Sequence, residues 1–209
     1  MLYIVRHGQT DWNLNGQIQG QSDIPLNDTG RTQANNVADK LSRFNLEYII
    51  SSDLNRAAET AQIIGNKLNI RVEYDARLRE YDFGTLTGMT RKRLDPRSIE
   101  AFFTNPTYFD AEPFEDAFIR VRDFMESIDY DKKILVVTHG GVINFVLCYF
   151  EDRNNFQSAA YLNKCLHTKI DNSAVLRVKN LESDISDLTI LKNTRFFKLP
   201  QFYKLPKSK

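Results

Sequence analysis

Three short polar segments each carry a histidine, an arginine or both, and each directly follows a predicted strand. They are Arg6-His7-Gly8, Ser51 to Arg56, and His139-Gly140-Gly141. In an open α/β sheet the carboxyl ends of parallel strands meet at one edge, and ligands bind in the crevice there. The order of these segments therefore predicts that two imidazoles and two guanidiniums lie around one point.

The kinds of side chain in these segments favour an anion, and phosphate above all. The planar forks of Arg6 and Arg56 match phosphate oxygens, and the helix predicted to begin near Gly140 would turn free N–H groups toward the same ligand. A protonated His139 would hydrogen-bond a further oxygen, which leaves a neutral His7 to attack phosphorus as a covalent nucleophile. A histidine after a strand is by itself more often structural, so this hypothesis depends on the convergence of all three segments.

A reaction at phosphorus also needs a proton donor for the departing alcohol, and a partly buried carboxylic acid suits that role. Glu80 is the candidate, because it lies just past the third predicted strand in a glycine-containing segment, Leu78 to Gly84. Asp82 is a near neighbour of Glu80 in the chain. From the residues alone, the choice between the two carboxyls stays open.

Composition limits the other classes of function. The chain has 209 residues with 28 Lys+Arg against 27 Asp+Glu, a net charge of +1, so no global field favours nucleic acid or an anionic membrane. His7, His139 and His167 form no close ligand pair, and Cys148 and Cys165 lack zinc spacing, so we expect no metal, no other cofactor and ordinary thiols. No apolar run fits a signal peptide or a membrane span. We therefore expect a cytoplasmic protein whose partner is a small-molecule phosphate ester, with no indication of its oligomeric state.

The elements that must position these residues alternate between strands and helices along the chain. This alternation predicts an α/β fold with a mostly parallel sheet, and the length predicts a single domain over residues 1–209. Apolar residues at helical spacing predict helices over Ala34 to Leu41, Leu54 to Leu68 with Asp53 as its N-cap, and Phe114 to Ile128. The predicted strands are Leu2 to Val5, Tyr48 to Ile50, Arg71 to Tyr74, Ile134 to Thr138, Ala174 to Val178 and Leu188 to Leu191.

Two stretches differ from this pattern. Residues 90–113 begin with basic side chains and continue with aromatic ones, which predicts a lid insertion over one edge of the sheet. Rings of Phe102, Phe103 and Tyr108 would then support an apolar or sugar part of the substrate. Residues 195–209 form a basic and aromatic tail, which we expect to pack on the body of the protein rather than to recruit a partner or a membrane surface.

At these positions the chain resembles a known family, the histidine phosphatase superfamily, in its phosphoglycerate-mutase-like branch. The segments that carry the resemblance are Arg6-His7-Gly8-Gln9-Thr10 with Asn13, Gln19-Gly20, Ser51 to Ala57, Leu78-Arg79-Glu80 with Gly84 and Gly88, and Val137 to Gly141. Individually each is moderately specific, but together they stand in the expected order and cover most of the chain. The resemblance implies a three-layer α/β/α fold with a mostly parallel central sheet.

The resemblance also implies a role for each matching residue. His7 would take the phosphoryl group, and Glu80 would first give a proton and later act as a base. The remaining implied site residues hold the phosphate group: Arg6, Asn13, Arg56 and His139, with Gln19, Gly20 and Gly140 in contact positions. No metal is implied.

Two departures bear on the substrate side of this site. Ala111-Glu112-Pro113 stands where the family often has Gly-Glu-Ser, and Asn144 stands where it often has arginine. The short, aromatic-rich middle region favours a phosphatase over a cofactor-dependent phosphoglycerate mutase, which remains the alternative. A non-catalytic phosphate-binding or scaffold protein on the same fold is the third reading, although such a protein needs neither His7 nor Glu80.

Overall fold

The fold is described from a computed structural model, which covers residues 1–151, 170–180, 189–192 and 195–198. Within those residues the strands are β1 (Leu2–Arg6), β2 (Tyr48–Ser51), β3 (Val72–Tyr74), β4 (Ile134–Thr138), β5 (Val175–Val178), β6 (Thr189–Lys192) and β7 (Arg195–Lys198). The α-helices there are α1 (Asp11–Leu14), α2 (Asp28–Leu41), α3 (Asn55–Leu68), α4 (Pro96–Thr104), α5 (Phe114–Ser127) and α6 (Gly140–Glu151). Short 3₁₀ turns occur at Ser42–Phe44, Ala76–Leu78, Gly84–Leu86, Arg91–Arg93 and Pro106–Phe109.

The strands form one sheet in the order β3-β2-β4-β1-β5-β6-β7. Strands β1 to β4 and β6 run in one direction, whereas β5 and β7 run in the other. Arg6 lies opposite Thr138, and Ser51 lies opposite Val137, so the carboxyl ends of β1, β4 and β2 are level with one another. This register confirms the predicted α/β fold and the edge at which the polar segments were expected.

Alternation of apolar side chains in the central strands builds a core on each face of the sheet. Leu2 and Ile4 pack with α5 and α6, whereas Tyr3 and Val5 pack with α2 and α3. Successive strand residues point to opposite faces, so a run that is apolar throughout must be covered on both sides. Helices on both faces give the three layers that the resemblance implied.

One predicted N-cap is wrong. The residue that caps α3 is Leu54, which makes no side-chain cap bond, while Asp53 forms an ion pair with Arg79 at 2.5 Å. The first amide of α3, that of Asn55, donates instead to Asp23 Oδ1 at 2.7 Å. The carboxylate of Asp23, from a distant loop, thus accepts from the first amide of α3, and Asp53 pairs with the guanidinium of Arg79 instead.

The tail differs in part from its prediction. Residues 195–198 form β7, which pairs antiparallel with β6 at the edge of the sheet, while residues 199–209 lie outside the described residues. The tail therefore begins as part of the sheet. The prediction that Cys148 is an ordinary thiol is wrong, because that residue is disulfide-bonded. Cys165, His167 and Leu188 lie outside the described residues.

The stretch 90–113 forms α4 between two 3₁₀ turns. Its start is tied to the N-terminal loop, since Thr90 bridges Gln17 and the Arg91 amide donates to the Gly16 carbonyl at 3.0 Å. Phe102 is buried in a cluster of aromatic rings. Tyr108 is 78% exposed and does not belong to that cluster.

Candidate active site

The ends of β1, β2 and β4 bring the three polar segments together. The His7 amide donates to the Thr138 carbonyl at 2.9 Å, and the Ser52 amide donates to the Val137 carbonyl at 3.0 Å. These bonds extend the parallel ladder by one residue on each strand. The imidazoles of His7 and His139 consequently lie with ring centroids 5.2 Å apart, both almost fully buried.

His7 is held in one tautomer. Its Nδ1 lies 2.6 Å from the carbonyl oxygen of Gly8, and because a carbonyl only accepts, Nδ1 must carry the proton. The loop that follows is clamped, since the Gly8 amide donates to Thr60 Oγ1 and a Cβ on Gly8 would meet the Gly30 carbonyl at 2.4 Å. His7 therefore keeps its Nε2 lone pair free of a proton, in a fixed orientation.

His7 is also neutral at ordinary pH. Burial holds its pKa well below the usual 6.5, and the charges of Arg56 and Arg6 lower it further against the opposing Gly8 hydrogen bond. A neutral imidazole is the nucleophilic form. The residue predicted to attack phosphorus is thus in the protonation state and tautomer that attack requires.

Two buried guanidiniums flank the histidines. Arg56 donates from Nη1 to the Ser22 carbonyl and from Nη2 to the Gly20 carbonyl, each at 2.7 Å, and Arg6 donates from Nη1 to the Ile170 carbonyl. Burial lowers the pKa of Arg56 to about 10, so it stays charged at neutral pH. The Nε atoms of Arg6 and Arg56 are buried and find no partner among the described residues. Unpaired buried donors are costly unless a ligand supplies acceptors.

His139 is oriented by Ser52, a residue that the sequence did not single out. Its Nε2 lies 2.8 Å from Ser52 Oγ, and that oxygen already accepts from the Leu54 amide at 3.3 Å. Among the described residues the Ser52 hydroxyl has no other acceptor, so its proton is donated to Nε2, which places the imidazole proton on Nδ1. Nδ1 is buried without a partner among the described residues, so it can donate to an anion.

The protonation of His139 differs from the expectation of an imidazolium. Burial holds its pKa well below 6.5, and Arg56, His7 and Arg6 lower it further. His139 is therefore neutral at ordinary pH. It offers one hydrogen bond rather than a charge, and the positive field comes from the two guanidiniums.

Of the two carboxyls that the sequence left open, Glu80 reaches the cavity next to these residues. Its Oε2 accepts from the Gly141 amide at 3.2 Å and its Oε1 accepts from the Tyr81 amide at 3.0 Å. Asp82 Oδ1 instead accepts from the Gly84 amide at 2.9 Å and caps its own turn. Glu80 lines the cavity together with Arg6, whereas Asp82 does not.

The other predicted contacts divide into two groups. Asn13 and Gly140 line the cavity beside Arg6. Gln19 is buried behind it and accepts from Thr10 Oγ1 at 3.0 Å. Gly20 has a φ of +51°, and its carbonyl binds Arg56. The structure thus brings Gln19 and Gly20 to the support of the site rather than to its surface.

Asn172 is a further residue that ties the site loop together. Its Nδ2 lies 3.1 Å from the His7 carbonyl, 3.2 Å from the Gly8 carbonyl and 3.2 Å from Asn13 Oδ1. It comes just before β5, the antiparallel neighbour of β1, so the beginning of β5 lies beside the end of β1. The signal for this role in the sequence is a polar residue just before a strand that runs antiparallel to β1.

The cavity has a volume of about 490 Å³. Its polar side includes Arg6, Asn13, Glu80 and Gly140; its apolar side is lined by Ile18, Phe83, Leu86, Leu94, Ile99, Phe102, Phe103 and Ile170, with Gln17, Arg91 and Asn144 also in contact. His7, Arg56 and His139 are buried and are not among the lining residues, whereas Arg6, next to His7, and Gly140, next to His139, are. The two rings predicted for the substrate side, Phe102 and Phe103, are in place, while Tyr108 is not part of the wall.

Two findings concern other kinds of site. Among residues 1–151, 170–180, 189–192 and 195–198, no group of three or more His, Cys, Asp or Glu side chains is arranged to hold a metal ion. In the same part of the chain, no helix combines the length and the apolar character needed to cross a bilayer.

Comparisons with known proteins agree with this geometry. The sequence model of the histidine phosphatase superfamily (branch 1) matches residues 2–173. Phosphoglycerate mutase-like protein 4 of Arabidopsis thaliana is 37% identical over 182 residues, which cover 81% of this chain and 77% of that protein. The uncharacterized phosphatase PhoE of Bacillus subtilis (strain 168) is 32% identical over 167 residues, or 78% of this chain and 84% of that protein. A solved mycobacterial glucosyl-3-phosphoglycerate phosphatase in complex with VO3 is similar with a TM-score of 0.70 and 29% identity, covering 84% of this chain and 88% of that one.

Proposed function

Because this chain belongs to the histidine phosphatase superfamily, we propose that it hydrolyses small-molecule phosphate monoesters through a phosphohistidine on His7. The observation that carries the proposal is the state of that imidazole: Nδ1 donates to Gly8, Nε2 is bare, and burial beside Arg6 and Arg56 keeps the ring neutral. Negative charge that develops on the phosphoryl oxygens is stabilised by the same guanidiniums that keep the nucleophile unprotonated.

In the first step, His7 Nε2 attacks phosphorus and the bond from phosphorus to the ester oxygen breaks. The electron pair of that bond goes to the departing oxygen, which takes a proton from the Glu80 carboxyl and leaves as an alcohol. Arg6, Arg56 and the Nδ1–H of His139 bind the three remaining oxygens. The buried donors that lack protein partners would thereby be paired.

In the second step, the Glu80 carboxylate removes a proton from water, which attacks the phosphorus of the phosphohistidine. The bond from phosphorus to Nε2 breaks, the electron pair returns to His7, and inorganic phosphate leaves. Glu80 is again a carboxylic acid and His7 a neutral imidazole. The sum is one ester and one water converted to one alcohol and one phosphate.

The substrate is expected to carry an apolar or ring-shaped body. Phe102 and Phe103 present part of the cavity wall next to Glu80, where the alcohol portion of an ester would lie. Support for phosphatase chemistry also comes from the relatives, one of which is named a phosphatase and another a glucosyl-3-phosphoglycerate phosphatase.

A mutase is the second candidate, since the relative at 37% identity is named a phosphoglycerate mutase-like protein. Both reactions begin with the same phosphohistidine and differ in whether water or a second hydroxyl receives the phosphoryl group. A mutase must grip a small acid and exclude water. Among the described residues, the cavity wall contains one cation besides Arg6, which is Arg91, and the rest of the wall is largely apolar. Such a wall favours hydrolysis over the binding of a small acid.

The test of the proposed function is release of inorganic phosphate from a panel of phosphate monoesters. Wild type should hydrolyse them and form an acid-labile phosphoenzyme, whereas His7→Ala should do neither. Glu80→Gln should lose about 10²–10⁴-fold in kcat for alkyl esters, and Asp82→Asn serves as its matched control with a near-wild-type rate. Hydrolysis that survives His7→Ala would exclude the mechanism. Exchange of phosphoglycerate isomers without release of phosphate would establish the mutase instead.

The substrate side is tested separately. Phe103→Ala should raise KM for bulky aryl esters and leave KM for small alkyl esters nearly unchanged. Tyr108→Ala is the control, because that ring is exposed and lies outside the cavity wall. A KM for bulky esters that is unchanged from wild type in Phe103→Ala, or that rises by the same factor as the KM for small esters, would reject the role of the aromatic wall.

A further inference from the structure

A partly buried ion pair lies behind the segment that carries Glu80. Arg120, on α5, donates from Nε to Glu112 Oε1 at 2.6 Å and from Nη2 to Glu112 Oε2 at 3.0 Å. The two side chains are only 18% and 15% exposed. Neither lines the cavity, so neither can touch a bound ester.

Arg120 uses its remaining hydrogens on the backbone of that segment. Nη1 donates to the carbonyls of Arg77 and Arg79, both at 2.7 Å, and Nη2 approaches the carbonyl of Glu80 at 3.3 Å. Three carbonyls that converge on one point repel one another unless a donor lies between them. The guanidinium fork supplies donors in a fixed plane, which an ammonium cannot reproduce.

Glu112 binds the other half of the same segment. Its amide donates to the Asp82 carbonyl at 3.0 Å, its Oε2 accepts from the Asp82 amide at 3.3 Å, and its carbonyl accepts from the Tyr81 hydroxyl. The ion pair therefore holds the chain on both sides of Glu80. No regular secondary structure fixes residues 79–83, so these contacts hold the backbone from which the Glu80 side chain projects.

We propose that Arg120 and Glu112 are positioning residues that aim the Glu80 carboxyl at the leaving oxygen. This inference rests on the proposed function, in which Glu80 is the proton donor. It goes beyond that function because it assigns a catalytic consequence to a pair that meets neither substrate nor phosphate. The pair acts on the proton transfer and not on the binding of the phosphoryl group.

A positioning role has a signature that a merely structural role lacks. An alkyl ester must have its departing oxygen protonated, whereas p-nitrophenolate leaves with little help because its negative charge is already delocalised. Misplacing the acid therefore slows alkyl esters much more than p-nitrophenyl phosphate. A general loss of folded protein lowers both rates by the same factor.

The experiment measures kcat/KM of the full chain for p-nitrophenyl, phenyl and alkyl phosphates, in Arg120→Met, Arg120→Lys and Glu112→Gln. We expect losses of at least tenfold for alkyl esters and less than threefold for p-nitrophenyl phosphate, with Glu80→Gln showing the same direction more strongly. Arg77→Met is the matched control, because Arg77 pairs with Asp75 and contacts α5 without touching Glu80. In Arg77→Met, any fall in kcat/KM should be by the same factor for every ester.

Equal losses across the ester series in Glu112→Gln and Arg120→Lys would overturn the inference, as would unchanged rates. If Arg120→Met does not fold, the other two variants still test the inference. Glu112→Gln keeps the size of the side chain and its hydrogen-bonding atoms, and Arg120→Lys keeps the positive charge. Failure of the proposed function would look different. In that case wild type would not hydrolyse the esters, or His7→Ala would retain the rate.

Discussion

Acidification should destabilise this protein through His7 and His139, the two buried histidines of the site. Burial and the neighbouring arginines hold both pKa values well below 6.5 in the folded state. The unfolded chain regains a value near 6.5, so below that pH it binds protons that the folded protein does not. Unfolding is then favoured as the pH falls, and stability rises as the pH rises through the same window.

The magnitude follows from that difference. At pH 5.5, one unit below the unfolded value, each histidine that stays neutral when folded lowers the free energy of unfolding by up to about 1.4 kcal/mol. The pair together contributes up to about 3 kcal/mol between pH 7.5 and 5.5. For a domain with a total stability of about 5–15 kcal/mol, an effect of that size is readily measured.

The assay is urea unfolding at pH 7.5, 6.5 and 5.5, followed by circular dichroism in a buffer without phosphate and at constant ionic strength. Wild type is compared with the double variant His7→Gln/His139→Gln, which keeps every carboxyl group, so their titration cancels in the comparison. The double variant should lose less stability on acidification by the amount given above. If both proteins lose the same free energy of unfolding, the histidines titrate freely in the folded state and the reasoning is refuted.

Three further outcomes are expected. Ser52→Ala should lower kcat roughly 5- to 10-fold, because His139 loses the hydrogen bond that fixes its tautomer. Ser51→Ala is the control. Equal kcat values in the two variants would contradict the role of Ser52 in orienting His139. Gly84→Ala should lower the free energy of unfolding by about 2–5 kcal/mol, since φ is +52° and the new Cβ would lie 1.9 Å from a backbone carbonyl oxygen. Gly16→Ala, with φ +68° and open space, should cost only about 1 kcal/mol in the same urea titration. Orthovanadate or inorganic phosphate at 100 times its Kd should raise the free energy of unfolding by about 2.7 kcal/mol, and calorimetric melting that is insensitive to either anion would argue against the phosphate site.

The convergence of the site could be predicted from sequence because it depends on one rule. Apolar runs that end in Arg6-His7-Gly8 and His139-Gly140 are strands buried on both faces, and parallel strands end at the same edge. The choice between Glu80 and Asp82 could not be predicted in this way. Glu80 accepts from the amide of Gly141, which is far away in the chain, whereas Asp82 accepts from the amide of Gly84 in a tight turn. No local sequence pattern reveals where these two amides lie.

The errors have a similar origin. Asp53 has the residue type and position of an N-cap, but Arg79 lies within reach once β2 and the loop after β3 are in place. Both carboxylate oxygens of Asp53 accept from Arg79, and a bidentate pair of this kind fixes the geometry of the carboxylate. Ser52 was passed over because a serine between a strand and a helix has many ordinary roles, and only the distance to His139 distinguishes this one.

The position of β1 in the middle of the sheet has a consequence for the order in which the molecule is assembled. Leu2 pairs with Ile134 on one side and with Val178 on the other, so the strand that is synthesised early waits for partners made more than a hundred residues later. Asn172, which ties down the loop of His7, arrives with the second of these partners. Contacts of such long range are slow to form, and a growing chain exposes the edges of β1 until they do. The loop of His7 is therefore secured only after the chain has been made as far as Asn172 and β5.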